Sequence, residues 1–154
     1  MNGRNTTVLF ACSGNTCRSP MAKVILEQKL IVIGKSSLFD VDSAATNGAS
    51  GQHANQAAID TVKATFGENL LATHISKKLT PAMTDKADLI LVMEARMKAG
   101  LPLKKAQTLK EYAGGSGDVI DPYGKGLQVY ARCAAEIAAA IDLILPKLLK
   151  LAES

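Results

Sequence analysis

Rings are scarce in this sequence: it has no tryptophan, and only three phenylalanines and three tyrosines among 154 residues. So few aromatics argue against a nucleic-acid surface, which interleaves stacking rings with a basic stripe. A net charge of +4 adds little, because the lysines are scattered rather than gathered into a block. Also missing is any apolar run near the roughly 18 residues that a membrane span requires. Val8-Leu9-Phe10-Ala11 is too short for a signal-peptide core, and polar residues cut it off at once. Three cysteines without a secretory signal do not make a disulfide framework, which leaves thiol chemistry or simple burial. A zinc site built on Cys12 and Cys17 would lack two further partners. The expectation is a cytoplasmic chain with no membrane, nucleic-acid, metal or cofactor dependence.

What is present is globular. Hydrophobic residues make up 47% and charged residues 21%, enough for one packed core and one domain over 1–154. Thr7 to Ala11 reads as a short buried strand. Ser19 followed by Pro20 predicts a helix start, a cap and then a first-turn proline, with Met21, Val24, Ile25 and Gln28 on one face and Gly34 at the end. Phe39 to Ser43 reads as a second strand, Ala44 to Gln52 as a loop, and Ala54 to Phe66 as a helix stopped by Gly67. Asp88 to Met93 is the clearest strand signal. A short helix to about Gly100 and a last strand at Ala106 to Leu109 follow. Tyr112 to Gly126 is glycine-rich and reads as a loop. Leu127, Tyr130, Ala134, Ile137, Ile141, Leu145 and Leu148 recur at helical steps, and Pro146 is expected to bend or interrupt that last helix. Strands alternating with helices predict a doubly wound α/β fold, an about four-stranded parallel sheet with helices on both faces. Ligands bind such sheets at the carboxyl ends of the strands, which is where Cys12 and the segment after Met93 fall.

Between the first strand and first helix lies Cys12-Ser13-Gly14-Asn15-Thr16-Cys17-Arg18-Ser19-Pro20. A loop of small residues can turn successive N–H groups inward around a tetrahedral anion, and the following helix adds a positive field along the same axis. Gly14 suits a tight backbone, and Asn15 tolerates a left-handed conformation. Arg18 presents a planar fork to two phosphoryl oxygens. The same surroundings favour the Cys12 thiolate at neutral pH, and a hydrogen bond from Ser19 would favour it further. Such a sulfur beneath phosphorus forms a phosphocysteine, while Ser13, Gly14, Asn15, Thr16 and Cys17 cradle the equatorial charge. Protonating the leaving atom falls to Asp121, stiffened by Pro122 and shielded by the neighbouring Tyr123 ring.

Taken together these residues resemble the low molecular weight protein tyrosine phosphatase family, over nearly the whole chain. The loop and its lead-in Val8-Leu9-Phe10, Ser43-Ala44-Ala45-Thr46, Ala87-Asp88-Leu89-Ile90-Leu91 and Asp121-Pro122-Tyr123 carry the resemblance. It implies Cys12 as nucleophile, Arg18 as phosphate clamp, and Asp121 as the acid that later activates water. Ser19 would tune the thiolate, and Asn15, bonded to His74, would hold the loop. Cys17 matches a cysteine that can pair with the nucleophile on oxidation. Thr16, Asp121-Pro122-Tyr123-Gly124 and Leu109-Lys110-Glu111-Tyr112 look like the bacterial protein-arginine phosphatase branch. Ser13, Ala49 and Tyr123-Gly124 stand where tyrosine-directed members carry bulk, a tryptophan and paired aromatics. The resemblance therefore implies a phosphorylated protein as substrate, through phosphoarginine or phosphotyrosine, with a lean to the former.

Three alternatives stand beside this one. The first is strict phosphotyrosine specificity. The second is an arsenate reductase-like redox enzyme, which would need relay cysteines that are missing between Cys17 and Cys133. The third is a phosphate-binding module without catalysis. Gly114-Gly115-Ser116-Gly117 is simply a turn, and Gly14-Asn15-Thr16-Cys17-Arg18-Ser19 lacks the Gly-Lys pair and spacing of a Walker-type nucleotide site.

Overall fold

Thr6, Thr7 and Val8 are β-branched and lead into Leu9 and Phe10, a composition that suits a strand covered on both faces. In the computed structural model, which describes residues 3–48 and 50–154, Thr6–Cys12 forms β1 and all seven residues are buried. Phe39–Ala45 forms β2, Leu89–Val92 β3 and Ala106–Thr108 β4. The four make one parallel sheet in the order β2-β1-β3-β4. From β1 the chain goes out to β2 and then returns to the far side of β1. The order therefore reverses between β1 and β3, and the diverging connections leave a crevice at their carboxyl ends. Cys12, paired in register with Ala45, stands at that edge, and Met93-Glu94 follow β3 there.

The helices are α1 at Arg18–Val32, α2 at Gln56–Phe66, α3 at Pro81–Lys86, α4 at Leu109–Tyr112 and α5 at Leu127–Glu153, with 3₁₀ turns at Ser36–Leu38 and Ala95–Lys98. Tyr130, Cys133, Ala134, Ile137, Ile141, Ile144 and Leu148 form the buried face of α5, which packs against α1 and α2. Lys29 of α1 also pairs with Asp142 of α5 at 2.6 Å. Met83 and Lys86 of α3 lie beside Thr7 and Leu9 of the sheet. The expected four-stranded parallel α/β architecture is the one found.

Several local expectations differ. α1 begins at Arg18, with Cys17 as the cap residue and no side-chain cap bond. Ser19 lies inside the first turn, because its hydroxyl is engaged by the loop rather than by the helix's orphan amides. β2 runs on to Ala45, since Ala45 N donates to the Lys77 carbonyl and its own carbonyl accepts from Leu79 N. α2 starts two residues later than expected, where the Asn55 side chain accepts from Ala57 N, and it ends at left-handed Gly67. α3, unforeseen, opens on Thr80 capping Met83 N with Pro81 behind it. β4 stops at Thr108 because Thr108 and Glu111 form a capping box that starts α4. α5 continues through Pro146 without interruption. That residue is exposed, so the carbonyl it leaves unbonded faces water. Among the described residues no helix is long and apolar enough to cross a membrane.

Candidate active site

The loop joining β1 to α1 is fastened from outside by its carbonyls. Cys12 O accepts from Thr46 N at 2.9 Å, Ser13 O from Asn47 N at 3.1 Å and Thr16 O from Asn55 N at 2.9 Å. Asn15 O accepts from His74 Nε2 at 2.7 Å. A carbonyl has no proton to give, so His74 carries its hydrogen on Nε2. Each peptide unit is planar and trans, so carbonyls turned outward turn the partner amides toward the hollow.

The left-handed residue is Asn15, at φ 55; Gly14 has no positive φ. The Asn15 side chain is fully buried and makes up for this backbone strain with three bonds. Its Oδ1 accepts from Lys77 N at 3.0 Å, which fixes the amide's orientation. Its Nδ2 therefore donates to Ser43 Oγ at 2.9 Å and to Ser19 Oγ at 2.8 Å. Ser19 accepts from Asn15, so its own hydroxyl hydrogen is free for Cys12 Sγ, 2.9 Å away. Ser19 N also faces that sulfur at 3.4 Å. Two donors thus converge on the sulfur of a residue that is only 2% exposed.

Arg18 is 1% exposed, and a guanidinium so buried needs partners. Its Nη1 donates to Glu94 Oε2 at 2.7 Å and to Val119 O at 2.6 Å, while Nη2 lies 3.7 Å from Asp121 Oδ2. Partial burial works against the charged Glu94 carboxylate, but bonds from Arg18 and Arg96 outweigh it and lower its pKa. Asp121 is half-exposed, and its Oδ1 accepts from Tyr123 N at 3.1 Å. The shield expected from Tyr123 is absent: Pro122 is buried, and the tyrosine is turned out, 67% exposed.

Cys12, Ser13, Gly14, Thr16, Cys17, Arg18, Asp121 and Tyr123 line one cavity of about 290 Å³, with Asn47 and Gln52 completing the wall. Asn15, Ser19 and His74 stand behind the loop and act on it through the bonds above. Burial pushes the His74 pKa down, against the bond to the Asn15 carbonyl. Burial pushes the Cys17 thiol up, against a 3.4 Å contact with Tyr130 Oη. Cys133, beneath the acid-bearing segment with Sγ 3.9 Å from Ile120 O, is pushed up to about 12 by burial. Ala49 lies outside the described residues. Among the described residues no three His, Cys, Asp or Glu side chains gather as a metal site.

Sequence reasoning missed Glu94, Ser43, Lys77, Arg96 and Tyr130 as parts of this site. Glu94 had a readable signal, an acidic residue just past the carboxyl end of a central strand.

The sequence profile described as low molecular weight phosphotyrosine protein phosphatase matches residues 7–153. A protein-arginine-phosphatase from Bacillus subtilis is 34% identical over 154 residues, covering 93% of this chain and 97% of its own length. The crystal structure of a low molecular weight protein tyrosine phosphatase from T. tengcongensis superposes with a TM-score of 0.86 at 36% identity, covering 93% of this chain and 99% of that one. A third likeness is an arginine phosphatase whose active-site cysteine was replaced by a serine that carries a phosphoryl group. It has a TM-score of 0.84 at 30% identity and covers 94% and 97% of the two chains.

Proposed function

This chain belongs to the low molecular weight phosphotyrosine protein phosphatase family, and from that premise we propose a phosphoprotein phosphatase that works through a phosphocysteine on Cys12. The observation that carries the reading is the pair of Ser19 donors on the Cys12 sulfur, at the floor of a cavity shared with Arg18 and Asp121. In the first step Sγ attacks phosphorus in line, and the bond to the leaving oxygen or nitrogen breaks. Loop amides and Arg18 take the equatorial oxygens. Asp121 gives its proton to the leaving atom. In the second step Asp121 takes a proton from water, which attacks phosphorus and frees the cysteine. A cytoplasmic site of action belongs to the same reading, in keeping with three free thiols.

For the substrate we favour phosphoarginine in proteins. Thr16, Asn47 and Gln52 give the cavity a polar wall, and its one ring, Tyr123, is turned largely to solvent. Such a wall supplies acceptors to a guanidinium and little surface to a phenyl group. The B. subtilis relative carries that activity in its name. Strict phosphotyrosine specificity is the second reading, favoured by Tyr123 at the mouth and by the T. tengcongensis relative. Steady-state rates on matched phosphoarginine and phosphotyrosine peptides decide between them, and a phosphotyrosine preference overturns the first. Cys12→Ser is expected to abolish hydrolysis of a chromogenic aryl phosphate. Retained turnover would refute the nucleophile.

A further inference from the structure

Glu94 divides its carboxylate between two arginines. Oε2 takes the buried Arg18, and Oε1 accepts from Arg96 Nε at 3.0 Å. Arg96 then reaches across to the loop, where its Nη2 donates to Ser13 Oγ at 3.1 Å. Ser13 follows the nucleophile directly and lines the cavity. A second guanidinium is thereby pinned at the rim of the phosphate hollow from two sides, by a carboxylate and by a loop hydroxyl. Its side chain is nevertheless 67% exposed.

A guanidinium has five N–H donors in a planar fork. The bonds to Glu94 and Ser13 use Nε–H and one hydrogen of Nη2, and the outer end, between Nη1 and Nη2, has no partner among the described residues. That end matches a carboxylate, which arginine binds in bidentate fashion. Ordering a long side chain usually costs part of the binding energy, and here two bonds order it before any ligand arrives. The charge also remains available, because one carboxylate serves two guanidiniums.

We propose that Arg96 forms an anion subsite beside the phosphate cradle and takes the carboxylate of an acidic residue flanking the phosphorylated residue of a protein substrate. The inference rests on the phosphoprotein reading above and goes beyond it by naming a sequence feature of the substrate.

The test uses peptides carrying phosphoarginine or phosphotyrosine, flanked on both sides by glutamate, against copies flanked by glutamine. The expected result is a kcat/KM for the glutamate-flanked peptide roughly tenfold higher, expressed in KM and shrinking as salt screens the contact. Arg96→Gln is expected to bring the ratio close to one, and Arg96→Lys to keep part of it, since the charge stays while the fork is lost. Equal treatment of the two peptides by the wild type would overturn the subsite. So would an Arg96→Gln variant that slows both peptides alike through kcat, the mark of a brace for Ser13 and Glu94 alone. Calorimetric binding of the same peptides to Cys12→Ser reads the subsite without turnover. A chain that hydrolyses neither peptide type would sink the phosphatase reading, and the affinity ratio would still decide the role of Arg96.

Discussion

In the proposed mechanism Asp121 acts on the leaving atom, a role that separates by substrate chemistry. The carboxylate stands on the cavity wall, 3.7 Å from Arg18. Asp121→Asn is expected to lower kcat by about 10²–10⁴ on phosphopeptides whose leaving group needs a proton. The loss with an activated aryl phosphate, which departs as a stable anion, should be far smaller; equal losses in parallel assays would remove Asp121 from the acid role. Glu94 carries a different burden, the charge of a buried arginine. Glu94→Gln keeps the shape and removes the counter-charge, so it should cost about 1.5–3 kcal/mol at neutral pH, the worth of a hydrogen bond to a charged group. The pH dependence follows from a folded-state pKa held below the ordinary 4.5. The stabilisation from Glu94 is complete above that ordinary value and drains away as pH falls below it through the folded value. Urea titrations across this range should show the wild type losing its advantage over Glu94→Gln in acid.

At the scale of elements, α5 contains a defect that can be repaired. Pro146 lacks an N–H and sits on the exposed side of a helix that runs on for seven more residues to Glu153. An interior proline costs about 3 kcal/mol, offset by about 1 kcal/mol through its stiffening of the unfolded chain. Pro146→Ala should therefore raise the thermal midpoint by several degrees in a melting experiment. Which elements the sequence disclosed follows from the same physics. β1, β3 and α5 declared themselves through uninterrupted apolar runs or a long helical period. α3 and α4 have 6 and 4 residues, too short for a period to emerge. Their caps, Thr80 before Pro81 and Thr108 three residues before Glu111, were the readable trace. Ser19 misled as a helix cap because the same hydroxyl serves a loop that folds back over it. Its partners Cys12 and Asn15 are near in sequence, but the bond geometry exists only once the loop is closed.

Over the whole molecule, the chemistry gathers where β1 and β3 end side by side. The residues proposed as nucleophile, cradle and clamp stood out because they form one continuous run from Cys12 to Ser19. Their supports were not, because they are distant: Glu94 and Val119 meet Arg18 from 76 and 101 residues away, and His74 meets Asn15 from 59. Pairings of that kind are set by tertiary topology rather than by local pattern: the return of β3 beside β1 carries Glu94 to Arg18, and the segment bridged to the end of β2 carries His74 to Asn15.

The carbonyl tethers behind the loop have a consequence for the end of the cycle. A bowl whose curvature is fixed before anything enters it greets the spent anion much as it greets the fresh ester, since neither has to remould it. Orthophosphate should thus linger as a competitor of its own parent, and initial-rate measurements should show apparent KM climbing with added phosphate while kcat holds steady. A mixed pattern would mean that phosphate also binds an enzyme form that already holds substrate or its phosphoryl group, so that the bowl is not where it competes.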